Sequence, residues 1–332
     1  MAFGIIAIVI MLCTMNMDYT DIWRYLLKVG IYFPLILALW LVVYLVNTLS
    51  WYLIINDEGR CEGLSFWRVY KLTVSGFALN YTTPCGLMGG EPYRIMELKP
   101  YTGVSKATSS VILYVMMHIF SHFWFWFLSI FLFIAFNPVG LSMGILLAVI
   151  GGFCLLGIYF FSRGYKTGMA QKGIHLLTHI PFVKGWAKRF AESKKDTLEQ
   201  IDSQIALLHQ QHKRTFYSSL LFELSARVLQ SFEIYLILKA FNAEVGIIDS
   251  ILILAFSSLF SNLIFFTPMQ LGSREGGLAL AVDGLHLTGA LGVYTGLITR
   301  LRELVWIAIG IMLIKIGNKN QLPKDTSDNK ES

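Results

Sequence analysis

One phrase occurs twice inside apolar sequence: Thr83-Pro84-x-x-Leu87-x-Gly89-Gly90-Glu91 and Thr267-Pro268-x-x-Leu271-Gly272-Ser273-Arg274-Glu275. Thr, Pro, Leu and Glu match at one constant offset of 184 residues, while the glycines slip by one. Proline removes a helical N–H and kinks or ends a helix. A carboxylate among apolar residues is costly to bury in lipid. A chain that accepts both in each half points to an internal duplication, with broken helices at a functional centre.

The surrounding sequence fixes the medium. Of 332 residues, 55% are apolar and only 14% charged, and the mean hydropathy is +0.59. A soluble domain carries about 25% charged residues. Several apolar runs reach the roughly 20 residues that span a bilayer. The fold class predicted is an all-α polytopic membrane protein. The runs are continuous and do not alternate, which argues against a β-barrel. Met1 to Met17 lacks a basic n-region and a small-residue cleavage site, so it reads as a short first span rather than a signal peptide. Cys13, Cys61, Cys85 and Cys154 show no CxxC or metal spacing and read as free thiols.

Full spans are predicted at 2–17, 30–55, 106–136, 139–162, 215–240 and 290–316. Stretches 64–90 and 247–286 are interrupted by the repeated phrase. Each of their legs is short for a crossing, so both read as re-entrant helical hairpins. The polar segment 163–214 holds ten Lys/Arg against four acids and is placed in the cytoplasm. Within it Leu198, Ile201, Ile205 and Leu208 share a helical face. The stretch 192–212 reads either as an amphipathic helix on the inner leaflet or as a solvated connector. The tail 318–332 is polar and reads as disordered and cytoplasmic. With these anchors, hairpin 64–90 enters from the cytoplasm and hairpin 247–286 from outside. Both termini then lie inside. Residues 1–317 form one membrane domain, with repeat 1 at about 30–136 and repeat 2 at about 215–316 in opposite orientation.

Candidate chemistry gathers at the breaks. Glu91 and Glu275 read either as first-turn carboxylates that meet the positive end of a helix, or as groups that bind a cation or a proton. Arg94 and Arg274 flank them and suit a phosphate. Arg94 reads equally as a loop arginine at the cytoplasmic face. Glu223 and Arg227 are spaced i,i+4 and read as an ion pair. Arg300 and Arg302 are phosphate candidates with Glu275 or Glu233 as partner. Asn80, Thr82, Thr83, Asn262 and Thr267 can satisfy carbonyls freed where the helices break. Pro84, Gly89, Gly90, Pro268 and Gly272 make the breaks themselves. His118 and His122 have i,i+4 spacing, yet no third ligand and no HExxH accompany them, so no metal is expected. The run from His122 to Phe127 reads as a lipid-facing or interfacial aromatic belt. No P-loop, GxGxxG, GxSxG or zinc signature occurs. No cofactor is expected, and the basic loop is explained by topology rather than by nucleic acid.

At these residues the chain resembles the membrane domain of lysylphosphatidylglycerol synthases and flippases. The resemblance rests on Asn80-Tyr-Thr-Thr-Pro84 followed by Gly89-Gly90-Glu91-Pro-Tyr-Arg94. It is repeated more weakly as Pro268, Gly272 and Glu275, with Thr299-Arg300 later, and it covers about residues 5–316. It implies a flippase-like fold that binds or moves anionic or aminoacylated phospholipids. The family often has Glu-Arg in the span after the first motif, where this chain has Tyr114-Val115. No room remains for the soluble aminoacyltransferase domain, so the chain is not expected to be an enzyme on its own.

Three functions compete. The first is a lipid flippase of the bacterial inner membrane, which Glu91, Arg94, His118, Arg274, Glu275, Arg300 and Arg302 would serve as headgroup contacts. The second is an accessory protein presenting a lipid to a separate lipid-modifying enzyme, recruited by segment 163–214. The third is an intramembrane transferase using Glu91 or His118 as a base, ranked last because no nucleophile–base pair is readable.

Overall fold

The computed structural model describes residues 27–57, 59–82, 89–164, 213–263, 273–285 and 289–317, and the single positions 199, 203 and 287. Span 2–17, nearly all of segment 163–214, the tail, and the turns carrying Pro84, Pro268 and Gly272 lie outside them. Among the described residues there is no strand, and eight helices follow in order. They are α1 (Tyr32–Ile55), α2 (Phe66–Thr82), α3 (Gly90–Phe136), α4 (Leu141–Gly164), α5 (Lys213–Ala240), α6 (Ile247–Leu263), α7 (Ser273–Asp283) and α8 (Gly289–Gly317).

Three helices, α1, α3 and α4, are long and apolar enough to cross a membrane. Helices α5 and α8 are as long, at 28 and 29 residues, but carry charge at their centres. Glu223, Arg227 and Glu233 on α5, and Arg300, Arg302 and Glu303 on α8, are all buried. That is the membrane solution for charge: it turns inward and pairs.

Helix α2 ends and α3 begins on either side of the first copy of the repeated phrase, and α6 and α7 flank the second, but α3 begins earlier than the sequence suggests. After the first break the chain does not loop from 90 to 106. It continues as helix to Phe136, with one interruption at Gly103. Pro100 removes one backbone donor there, and Gly103 takes φ +77°, a left-handed conformation that costs a residue with a Cβ. So α3 has a short arm, 90–102, and a long arm, 104–136. After the second break α7 and α8 play the corresponding parts. Shifted by 184, α1, α2 and the two arms of α3 overlay α5, α6, α7 and α8 in sequence.

The packing pairs these elements crosswise. Helices α1 and α5 run antiparallel: Ser50 Oγ meets Ser219 Oγ at 2.7 Å, and toward the other end the Trp40 indole donates to Glu233 at 2.9 Å. Helix α2 runs antiparallel to α8, with Ser75 donating to the Gly310 carbonyl at 3.2 Å. Moving Ser75 and Gly310 by the offset lands on Leu259 and Trp126, and there the Trp126 indole donates to Ser258 at 2.9 Å. Helix α2 thus packs on α8, and α6 on the long arm of α3. Gly310 makes the α2–α8 approach possible, because a Cβ there would lie 2.6 Å from Ala78 Cβ. In lipid such close packing replaces water exclusion as the force between helices.

The aromatic run His122–Phe127 is divided: Phe125 and Trp126 are buried against Cys154 of α4 and Leu259 of α6, whereas His122, Phe123, Trp124 and Phe127 keep part of their surface exposed. Exposed apolar side chains line α4, at Leu141, Ile145, Val149, Leu156 and Phe160, and also the end of α3, at Leu128, Phe131 and Ile134.

Candidate functional site

The first break is closed by one asparagine. Asn80, near the end of α2, accepts from the Gly90 N–H at 2.7 Å and donates to Glu91 Oε1 at 2.9 Å. A helix start leaves N–H groups without partners, and Asn80 serves one from outside the helix. Thr82 returns its hydroxyl to the Ala78 carbonyl at 3.0 Å. Gly90 is required because a Cβ would run into the Gly76 carbonyl. Glu91 sits in the first turn, as the dipole favours, with Oε2 buried and unpartnered.

Arg94 is not a loop arginine. It is buried one turn into the short arm of α3. Its guanidinium donates to the Thr73 carbonyl at 3.2 Å and to Glu91 at 3.4 Å. It lies over the rings of Trp51 and Tyr114, 5.7 and 5.4 Å from their centres. Gly76 is the seat for it: any Cβ at 76 would collide with Arg94 Nε. Tyr114, where the resemblance led one to look for a carboxylate–arginine pair, is therefore a wall of the Arg94 cage.

The second break carries a larger network. Glu275, in the first turn of α7, accepts from Arg300 Nε at 2.9 Å. Arg300 also reaches Glu303 at 3.3 Å. Glu303 takes Arg274 and the Tyr81 hydroxyl, the latter at 3.2 Å, and Arg274 donates to Tyr81 at 3.1 Å. Arg302 grips Glu233 with two bonds of 2.9 and 3.0 Å. The Arg302 guanidinium lies 3.7 Å from the centre of the Trp40 ring. Among the described residues, three arginines thus face three glutamates. Tyr81 follows Asn80 directly, so the two breaks meet at Tyr81 and Arg274.

His118 stands apart, at the centre of the long arm of α3. Its Nδ1 lies 2.8 Å from Glu223 Oε2, and Arg227 Nη2 lies 2.9 Å from its Nε2. The ion pair expected between Glu223 and Arg227 does not form directly. His118 is inserted between them, and Arg227 also bonds the His118 carbonyl and Ser121. The i,i+4 spacing brings the two onto one face of α5, but α3 offers better-placed partners.

The structure therefore brings Glu91 with Arg94, and Arg274 with Glu275, Arg300 and Arg302, and keeps His118 in a third cluster. Asn262 is exposed and bonds the Ser258 carbonyl of its own helix at 2.8 Å. The side chains at the two helix starts keep some exposure, 20% at Glu91, 22% at Arg274 and 15% at Glu275. Arg300 and Glu303 beneath are almost fully covered. Sequence reading missed Tyr81, Trp40, Trp51 and Gly76. The signal available for Tyr81 was its place beside Asn80; the tryptophans and Gly76 gave none among so many apolar neighbours. Among the described residues no group of three or more His, Cys, Asp or Glu could hold a metal.

A family described as the lysylphosphatidylglycerol synthase TM region matches residues 1–310. No curated protein and no solved structure matches the chain.

Proposed function

Since the chain belongs to the lysylphosphatidylglycerol synthase transmembrane-region family, an integral membrane and lipid-related one, we propose that it is a flippase-like protein. In this reading it binds the headgroup of an anionic or aminoacylated phospholipid where its helices break, and carries it across the bacterial inner membrane. It performs no chemistry on the lipid.

The observation that carries this reading is the meeting of the two breaks through Tyr81 and Arg274. Two half-helix starts, each with its N–H groups and a partly exposed glutamate, converge on one cluster of paired, buried charge. Helix N-termini attract anions, and guanidinium fits a phosphate with two bonds. The partly exposed Arg274 is the arginine placed to exchange its partner for a lipid phosphate. Glu91 and Glu275 suit the cationic end of an aminoacylated headgroup.

We read the architecture as an inverted repeat. The antiparallel pairing of the equivalent helices α1 and α5 supports this. So does the crosswise packing of α2 on α8 and of α6 on α3. Such a repeat lets a mid-membrane site face either side in turn. Hairpin 64–90 then opens to the cytoplasm and hairpin 247–286 to the outside, with both termini cytoplasmic.

The test is headgroup translocation in proteoliposomes. Wild type is expected to move phosphatidylglycerol or its lysyl ester between leaflets. Glu91→Gln and Glu275→Gln are expected to slow this at least tenfold. Lipid binding without translocation in wild type would favour the accessory function, in which the chain presents lipid to a separate enzyme.

A further inference from the structure

Helix α1 carries no charged residue, yet one of its faces is polar. Trp40, Tyr44, Asn47 and Trp51 are spaced i, i+4, i+7 and i+11, which places them on a single stripe, and all four are buried. At one end Trp40 belongs to the second cluster, where it donates to Glu233 and lies against the Arg302 guanidinium. At the other end Trp51 stacks on Tyr114, 5.5 Å ring to ring, with the Arg94 guanidinium over both. Eleven residues at about 1.5 Å each make the stripe roughly 16 Å long, half of a bilayer core of about 30 Å. It joins the arginines of the two breaks through the interior.

The polar heads along it have no partners. Tyr44 Oη, Asn47 Oδ1 and Trp51 Nε1 are buried and bond nothing. Against Tyr44, with ring centres 4.9 Å apart, stands Trp306 of α8, whose Nε1 is also buried and unbonded. One turn before it, Arg302 Nη1 makes no hydrogen bond, with Glu303 Oε1 3.8 Å away. The small hydroxyls of α1 behave differently. Thr48 bonds the Tyr44 carbonyl at 2.6 Å, and Ser50 meets Ser219. The unbonded heads of α1 therefore all lie on the stripe.

Buried polar groups in a folded protein are nearly all bonded, so a row of unbonded ones calls for a cause. Their chemistry supplies it. Tyr44 Oη, Trp51 Nε1, Trp306 Nε1 and Arg302 Nη1 have hydrogens to donate, and Asn47 Oδ1 accepts. A phosphodiester only accepts, and a glycerol or aminoacyl headgroup beyond it has hydroxyl or ammonium hydrogens to give. These atoms are covered while the helices are packed, so the stripe meets a ligand only when α1 parts from α2 and α8. The contacts that must part there are ring faces rather than hydrogen bonds: Tyr44 against Phe77 at 5.4 Å and against Trp306, and Arg302 over Trp40.

We propose that this stripe is the track along which a headgroup passes between the two breaks. Its phosphate oxygens accept from Tyr44, Trp51 and Trp306 in the parted state, and its hydroxyl or ammonium donates to Asn47. The proposal rests on the translocation reading above and adds the residues of the passage.

The experiment uses full-length protein in proteoliposomes. It follows phosphatidylglycerol and its lysyl ester, each with a fluorescent acyl chain, between leaflets. The thermal unfolding midpoint is measured on the same proteins in detergent. Tyr44→Phe and Asn47→Leu each remove a polar head and nearly keep the side chain's size. Each is expected to slow transfer roughly three- to tenfold, the worth of one hydrogen bond. Each is also expected to unfold at or above the wild-type midpoint, because an unbonded buried head is a cost to the packed state. Thr48→Val removes a head already bonded within α1 and is expected to transfer lipid at the wild-type rate. Wild-type transfer in both Tyr44→Phe and Asn47→Leu overturns the track and leaves the flippase reading standing. A lowered midpoint in either also overturns it, since the heads would then be bonded in the packed state. An equal loss in Thr48→Val overturns it too, because the polarity of α1 at large would be responsible. If wild type moves neither lipid, the flippase reading itself falls, and the track with it.

Discussion

At the scale of the residue, the interior is governed by pairing. Glu303 is the clearest case, because it is the common partner of Arg274, Arg300 and Tyr81. Glu303→Gln would leave three arginines sharing Glu275 and Glu233. Removing one partner from a buried pair costs about 3–5 kcal/mol. The variant is therefore expected to show a markedly lowered midpoint in thermal unfolding in detergent. An unchanged midpoint would mean that the network contributes nothing to the fold. Gly76 makes a second prediction. Gly76→Ala puts a methyl group where Arg94 Nε lies, so it should displace the arginine from its Trp51–Tyr114 cage. It is expected to reproduce the binding defect of Arg94→Ala, measured as phosphatidylglycerol affinity, although residue 76 touches no lipid. Normal affinity in Gly76→Ala alongside weak affinity in Arg94→Ala would contradict the seat.

At the scale of the element, the kink at Gly103 sets the direction in which the short arm of α3 leaves the long one. A residue with a Cβ at φ +77° is strained by about 1–2 kcal/mol, so Gly103→Ala should either destabilise the protein by that amount or straighten α3. A distance measured by spin labels at exposed Met96 and Ile119 would separate these outcomes: lengthening reports straightening. This element also shows how far sequence reaches. The separation of α2 from α3 and of α6 from α7 was legible because Pro, Gly and Glu stand out against apolar runs. The spans 30–55, 139–162, 215–240 and 290–316 agree with α1, α4, α5 and α8 to within a few residues. The short arm was not legible as a helix with one buried face. Its Lys99, Pro100 and Gly103 look like a loop, and only the tertiary contacts of Arg94 and Leu98 reveal that face. The partner of Glu223 was misread for a related reason. Spacing along one helix says which groups are near, whereas a neighbouring helix decides which of them bond.

At the scale of the whole molecule, the proposal is that two repeated halves enter the membrane from opposite faces and meet at a centre of paired charge. The repeated letters suggest this, and the crosswise contacts of α1 with α5, α2 with α8 and α3 with α6 support it. The loops that lead into α2 and α6 occupy equivalent places in the two halves, and Glu62 and Glu244 are exposed in them. The most direct test places a single cysteine at Glu62 or Glu244, with Cys13, Cys61, Cys85 and Cys154 replaced, and labels intact cells with a membrane-impermeant maleimide. The account predicts that the cysteine at 244 labels from outside and that the cysteine at 62 labels only after the membrane is permeabilised. Labelling of both positions from the same side would contradict it.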